Sequence, residues 1–560
     1  MAAGDPLDVD RRDFLFSVAA AGAASLAGCR NEAPPLPPGE LLGTSLDLGH
    51  RLRRGDLPPP SETRHVPVLI VGAGIGGLSA AWTLARAGFG DFLLVELEAE
   101  AGGNSRGGRN AVSAYPWGAH YLPLPTREAT AVRELLAEIG VLQGDPHAAK
   151  PVYDERYLCA TPQERLYRDG RWHDGLLPTA GATAAERRQY RQFADAMDAY
   201  KQRRDRQGRR AFALPMALSG RDPELLALDR LGMRDWLLAQ GLDAPHLHWY
   251  VDYACRDDYG TASAAVSAWA GIHYFACRTG EARNASSDTV LTAPDGNGWL
   301  ARGLQRGIAA RVGDRLLKGA LAFRVAGGES ARERVTVDLW LPAENRGVRV
   351  LTEQLIWAAP LFLVPRVFDG HPALKAAAAG YSHAPWLVAN LTLSGPPTER
   401  HGAPPAWDNV LHGAAGLGYV VATHQQMRLR PGATVLTYYR SLDTVNPRQG
   451  RQILHDTPRE AWAAEILAEL ERVHPDIRQL TTRLDVFRHA HAMARPLPGL
   501  IFGAARQRFA ADGPRLRFAH ADVSGFSLFE EAQYRGVLAA ERTLRHLGMR
   551  NIAVMYGEAG

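Results

Sequence analysis

Gly72, Gly74, Gly76 and Gly77 stand in a run from Val66 to Ala81 that reads as an apolar strand, a glycine-rich turn and an alanine-rich helix. The G-x-G-x-x-G spacing of Gly72, Gly74 and Gly77 suits a dinucleotide. The first glycine permits a tight turn, the second lets backbone approach a pyrophosphate, and the third lets helix and strand pack closely. The helix N-terminus adds unpaired N–H groups and the positive end of a dipole. A second apolar run, Phe92 to Val95, ends at Glu96, nineteen residues after Gly77, where a carboxylate accepts hydrogen bonds from ribose hydroxyls. Strand, turn, helix, strand and acid in this order separate a nucleotide site from a glycine-rich turn without a ligand.

Other residues with chemical potential are spread along the chain. His120 and Tyr121 end the segment Tyr115-Pro116-Trp117-Gly118-Ala119-His120-Tyr121, and His273 and Tyr274 lie in the apolar, aromatic run 264–275, which has the pattern of an interface helix. Tyr438 and Tyr439 sit in a strand-like run, and Phe526 and Phe529 flank the start of a C-terminal helix. His489 and His491, at i, i+2 on a strand, lack a third ligand nearby, so no metal is expected. Four cysteines without C-x-x-C spacing imply no disulfide or metal framework. Lys+Arg 64 against Asp+Glu 60 gives a net charge of +4 without aromatic-basic interleaving, which argues against nucleic acid as a partner.

Further blocks identify the cofactor by resemblance. Gly102-Gly103-Asn104-Ser105-Arg106 follows Glu96, the middle of the chain carries Gly298-Trp299-Leu300, Ala320 to Val325, Val335 to Val337 and Ile356 to Pro360, and the end carries Arg517 to Asp522 before Phe529 to Glu541. Together, over about 65 to 560, the chain resembles the FAD-dependent amine oxidase superfamily, which includes monoamine and polyamine oxidases and is related to phytoene desaturases. The resemblance implies an α/β fold, in which an FAD-binding Rossmann-like (GR2-type) domain is interleaved with an α+β substrate domain. It implies FAD held by Gly72, Gly74, Gly76, Gly77, Glu96, Gly102, Gly103, Asn104, Ser105, Ala322 and Asp522, with Ala521 where a glycine is usual. It places His120 beside the isoalloxazine ring, as a catalytic residue or as a structural histidine bonding backbone. Tyr439 and Tyr274 are the other catalytic candidates, and Tyr438, Phe526 and Phe529 are candidate walls of an aromatic cage. Many amine oxidases keep a lysine near flavin N5 on the strand that here reads Leu387 to Leu391, where there is none. Its absence implies slow use of oxygen and a dehydrogenase.

Twin arginines, Arg11-Arg12, precede an apolar run and Leu26-Ala27-Gly28-Cys29. The run is short for a spanning helix, so 1–29 reads as a twin-arginine lipoprotein signal with Cys29 lipidated. Export through the Tat translocase to a lipid-anchored, periplasm-facing position follows, with membrane contact through the lipid and a quinone or periplasmic carrier as acceptor. Prolines in 30–64 suggest an extended tether. The remainder exceeds one compact core, so two domains are expected: an FAD domain from 65–145, 290–370 and 490–560, and a substrate domain from 146–289 and 371–489. The expected function is oxidation of an amine-type, even polyamine, small-molecule substrate by hydride transfer to flavin. The alternatives are a desaturase or isomerase of an apolar substrate and a non-catalytic FAD-binding assembly factor.

Overall fold

The computed structural model describes residues 35–426, 430–511, 513–549 and 553–556. Strands Pro60–Val71 and Phe92–Val95 pair in parallel, and helix Ile75–Arg86 makes the crossover that a parallel pair requires. Strand Arg346–Trp357 lies parallel on the other side of Pro60–Val71 and continues into antiparallel strands Val335–Leu341 and Leu321–Ala326. Leu316–Leu317 and Leu516–Phe518 complete a seven-stranded sheet. Three separated stretches of sequence therefore build one nucleotide-binding layer. Val68, Leu69 and Ile70 are wholly buried, as expected for a central parallel strand covered on both faces.

The helix Ile75–Arg86 is small on the side that meets strand Pro60–Val71 and the C-terminal helix Phe529–His546. A Cβ on Gly77 would lie 1.8 Å from the carbonyl oxygen of Gly72, and one on Gly76 would lie 2.0 Å from that of Ala519. These contacts with rigid backbone explain the two glycines.

A second, eight-stranded sheet runs in the order Leu41–Gly43, Thr481–Ala494, His383–Leu393, Thr434–Ser441, Gly418–Val421, Asp408–Leu411, Glu164–Arg168 and Arg171–Asp174. The last two strands form the hairpin expected from Asp169-Gly170, and both turn residues have positive φ, 52 and 79. Helix Arg459–Glu471 covers one face, burying Trp462, Ala463, Ile466, Leu467 and Leu470. Helices Ala184–Gln202, Pro245–Tyr259 and Ala268–Ala276 form the other insertion. The first of these opens on a capping box between Thr183 and Glu186.

Two expected boundaries are corrected. The proline-rich stretch 30–64 is not a tether throughout, because Leu41–Gly43 extends the second sheet, Leu46–Arg54 is a helix, and the first sheet's strand begins at Pro60. Prolines 58 to 60 end the connection and start the strand, where a missing N–H costs least. The border at 489/490 cuts strand Thr481–Ala494, which stays with the second sheet to its end. Arg11, Arg12 and Cys29 lie outside the described residues.

Gly77→Ala should destabilise the protein by at least about 3 kcal/mol, since overpacking against backbone finds no side chain to yield. Gly395→Ala, whose Cβ would meet nothing within 4 Å, should be close to neutral. Thermal unfolding of the two variants side by side tests the packing account, and equal midpoints would refute it.

Candidate active site

Gly72, at φ +98, makes the turn after the central strand, and its N–H bonds the Val95 carbonyl at 2.8 Å. Gly74 is the N-cap of helix Ile75–Arg86, which carries no side-chain cap and no acidic residue in its first turn. A Cβ on Gly74 would meet only the Cα of Gly103, at 4.0 Å. The helix N-terminus thus faces open space across from the second glycine pair, with its first N–H groups free of a side-chain acceptor. Gly102 closes the opposite side, its N–H on the Ala73 carbonyl at 2.8 Å, and Gly103, Asn104 and Ser105 form one 3-10 turn. Ser105 is buried there, and the Asn104 Nδ2 donates to the Ala492 carbonyl at 2.6 Å.

Glu96 accepts the Ala73 N–H at 2.7 Å on Oε2 and the Glu98 N–H at 3.0 Å on Oε1. Burial pushes its carboxyl up, and the two N–H groups oppose that shift. The acid therefore braces the glycine turn. Ala322 sits on strand Leu321–Ala326 opposite Leu339, within an apolar cluster beside Val71 and Val95. Asp522 is wholly buried and binds the Leu361 N–H and His383 Nε2 through Oδ2, both at 3.0 Å. Its Oδ1 has no hydrogen-bond donor. His520 Nδ1 lies 3.2 Å from that oxygen, but the same nitrogen accepts the Asp522 N–H at 3.1 Å and so cannot donate. A buried carboxylate oxygen awaiting a donor fits a ligand hydroxyl.

His120 is tied to this cradle through the backbone. The Ala119 N–H bonds the Asn104 carbonyl at 2.9 Å, and His120 Nδ1 faces the Gly118 carbonyl at 3.2 Å. Nδ1 must carry the proton in that contact, which leaves the Nε2 lone pair available. Burial pushes the imidazole down to about 4, so it is neutral at pH 7. Its ring centroid stands 4.9 Å from Tyr439, 5.4 Å from Tyr121 and 5.6 Å from Trp407. Tyr439 donates to Asp408 Oδ1 at 2.8 Å. Tyr121 lies 3.2 Å from Asp258 Oδ1 and 3.4 Å from Asp257 Oδ2, and Arg278 donates to both Tyr121, at 3.1 Å, and Asp258, at 3.0 Å. The Arg278 guanidinium stacks on Tyr274 at 4.0 Å.

The structure thus brings His120, Tyr439 and, through Arg278, Tyr274 into one constellation. His120, Tyr121, Asp257, Tyr274 and Arg278 are half-buried, each keeping part of its surface accessible, 26% for the Arg278 side chain. Together they form one half-buried cluster of aromatic and charged side chains, which we call the chamber. Other candidates fall outside it. Tyr438 points to the opposite face of its strand, among Trp172, Leu387 and Ile466, because adjacent strand residues alternate. Phe526 packs with Trp269, Tyr259 and His273, and His273 bonds the Ala213 carbonyl at 2.8 Å, so these are packing residues. Phe529 belongs to the same buried cluster. Among the described residues no group of three or more metal-binding side chains occurs.

Sequence reasoning missed the chamber's charges. Asp257 and Asp258 end helix Pro245–Tyr259, Asp408 opens a strand, Glu164 opens another, and Arg278 follows helix Ala268–Ala276. Burial pushes Glu164 up to about 7, with Asp288 adding to it. Burial and then the neighbouring Asp258 charge raise Asp257, and burial and then Asp257 raise Asp408 further. The adjacent acids at 257–258 after a helix rich in aromatics were the one visible signal, and element ends ordinarily place such residues in solvent.

Comparisons with known proteins bear on the fold. The family model of an NAD(P)-binding Rossmann-like domain matches residues 70–139. Putrescine oxidase, solved with putrescine bound, superposes with a TM-score of 0.60 at 16% identity, covering 86% of this chain and 100% of that one. Cyclohexylamine oxidase from Brevibacterium oxydans gives 0.59 at 15% identity, covering 88% and 100%. A CLA-producing fatty acid isomerase from P. acnes gives 0.54 at 13%, covering 86% and 98%. No curated protein matches by sequence. At these identities the likeness establishes the fold, a Rossmann-like nucleotide-binding domain with an interleaved α+β domain.

A raised carboxyl holds its proton in the folded state while the unfolded chain, near about 4, has released it. The folded state therefore binds more protons between about pH 4 and about pH 7, and the associated stability is lost as pH rises through that window. The unfolding midpoint of ligand-free protein should fall more between about pH 5 and about pH 8 than that of the Asp257→Asn, Glu164→Gln double variant, whose amides stay neutral. Parallel curves would show that these acids are ordinary solvated carboxylates.

Proposed function

We propose that this protein is an FAD-dependent oxidoreductase that oxidises an amine, with diamines or polyamines as the substrate class. The observation that carries the reading is this half-buried aromatic cluster, in which Asp257, Asp258, Asp408 and Glu164 lie close to one another and the Arg278 guanidinium pairs with Asp258. With Arg278 paired to Asp258, the raised carboxyls of Asp257, Asp408 and Glu164, on three different elements, have no ion-pair partner among the described residues and would ionise beside a bound ammonium group, an arrangement favourable to a cation and unfavourable to an acyl chain. Aromatic faces around His120 add cation–π attraction. The amine-named structural relatives support this reading, whereas the fatty acid isomerase among them keeps the apolar-substrate alternative in the test.

The residues fit FAD. The open space between Gly74 and Gly103 and the uncapped helix N-terminus would take the pyrophosphate, Glu96 the ribose, and the donor-free Asp522 Oδ1 a hydroxyl of the ribityl chain. Bound there, FAD supplies a hydride acceptor at N5. The chain's own part is to bind the ammonium form at the carboxylates, accept its proton and exclude water. Asp257, raised to about 7 and joined to the Tyr121 hydroxyl, is the proton acceptor, and His120 Nε2 receives a hydrogen bond from the neutral amine.

On the strand His383–Leu393, Asn390 is the inward polar residue, donating to the Pro116 carbonyl at 3.0 Å and accepting from Thr437 Oγ1 at 2.6 Å. It offers no cation there, so the reading includes a dehydrogenase passing electrons to a quinone or a periplasmic carrier. Purified protein should be yellow with FAD, and putrescine or spermidine should bleach it anaerobically. A quinone analogue should then restore the colour faster than air-saturated buffer. Bleaching by neither polyamines nor monoamines, with double-bond migration in an added unsaturated fatty acid, would transfer the site to the isomerase reading. No response to any of them would leave a binding or assembly role.

The proposal extends to location. Arg11-Arg12 and Leu26 to Cys29 support Tat export and lipid anchoring on the periplasmic side. Replacing both arginines with lysine should hold precursor in the cytoplasm, and Cys29→Ser should abolish labelling by a fatty acid probe. Undiminished export of the double lysine variant would end this claim.

A further inference from the structure

A cavity of about 190 Å³ lies away from the chamber and the glycine cradle, between the segment before Asp222, helix Ala504–Ala510 and the outer face of helix Phe529–His546. Arg221, Arg506, Arg535 and Arg542 line it, together with Ala217, Tyr534 and Leu538. Arg506 and Arg535 are 3% and 5% exposed, which is unusual for arginine without a carboxylate partner. Neither forms a salt bridge with a described residue. Arg506 spends Nε on the Ile501 carbonyl and Nη1 on the Val523 carbonyl at 3.2 Å, while Arg535 spends Nε on Ser524 Oγ at 2.9 Å and Nη2 on the Met216 sulfur at 4.0 Å. Arg221 is exposed and supplies the third guanidinium from the solvent side.

Four arginines around one space repel one another. Burial first, then Arg535 and Arg221, push Arg506 down to about 10. Glu531 lies nearby, but its Oε1 is occupied by the Met216 N–H, and one carboxyl cannot balance several guanidiniums.

We propose that this cavity binds a small organic oxyanion, with its phosphate or carboxylate group among Arg221, Arg506 and Arg535 and its body against Tyr534, Leu538 and Ala217. Guanidinium groups offer paired N–H donors that match either oxyanion, and the half-apolar wall favours a ligand with some carbon. The site is coupled to the nucleotide-binding domain by position. Arg506 and Arg535 hold Val523 and Ser524, which directly follow Asp522 in the same 3-10 turn.

Calorimetric titration of the full-length, cofactor-loaded protein with inorganic phosphate and with citrate, at ionic strength matched by sodium chloride, tests this. Saturable binding of either anion is expected, and which of them binds identifies the head group. Arg221→Gln, an exposed change that spares folding, should weaken it about tenfold, as expected for one charge-assisted pair. Arg234→Gln, exposed elsewhere, should leave it unchanged. Absence of saturable binding by both anions, or binding indifferent to Arg221→Gln, overturns the proposal.

Discussion

The structure depends on the close approach of backbone at the first crossover helix. Helix Ile75–Arg86 lies within van der Waals reach of strand Pro60–Val71 on one side and of helix Phe529–His546 and Ala519 on the other. A Cβ at Gly536 would lie 2.1 Å from the Gly76 carbonyl, so glycine serves both helices at one crossing. Such contacts join chain segments more than four hundred residues apart and leave every insertion hanging from one rigid layer. Their cost in conformational freedom is repaid by burial of a nearly continuous apolar helix and strand.

The chamber obeys the opposite logic. Its polar groups come from four elements of the inserted regions and would each be expensive alone. Mutual hydrogen bonds offset part of that cost, as Arg278 with Asp258 and Tyr439 with Asp408. The offset is incomplete, since the remaining carboxyls favour their neutral forms. A stable fold gains little from such a site, so a group of buried acids held toward their neutral forms marks it as a functional-site candidate.

Legibility in the sequence followed locality. Gly72 to Glu96 could be read because strand, turn and helix are adjacent and each glycine answers a local steric demand. The hairpin at Asp169-Gly170 and the buried stripe of helix Arg459–Glu471 were readable for the same reason. His120 and Tyr439 were separately suspected, but only folding puts their rings 4.9 Å apart. Asp408 and Glu164 were invisible, and the pair Asp257–Asp258 was passed over, because acidic residues at element ends normally face water and nothing local says that an aromatic-rich insertion will pack around them. The stretch 30–64 was misread because proline density describes local stiffness and says nothing of an edge strand such as Leu41–Gly43, whose stability comes from its partner Thr481–Ala494.

Asn104 links these two regimes. Its carbonyl accepts the Ala119 N–H, while a Cβ on Gly118 would lie 2.3 Å from that same oxygen, so the segment leading to His120 is pressed against the second glycine pair. His120 O in turn accepts from Thr292 Oγ1 at 2.8 Å, and the Asn297 N–H binds the Ala119 carbonyl at 2.9 Å. A shift of the Gly102-Gly103 turn therefore has to move the imidazole with it, and the chamber's floor is fixed to the same backbone that forms the cradle. Placing the chamber's base on the loop rather than on the insertions keeps His120 in register with the nucleotide-binding domain even where the inserted elements shift.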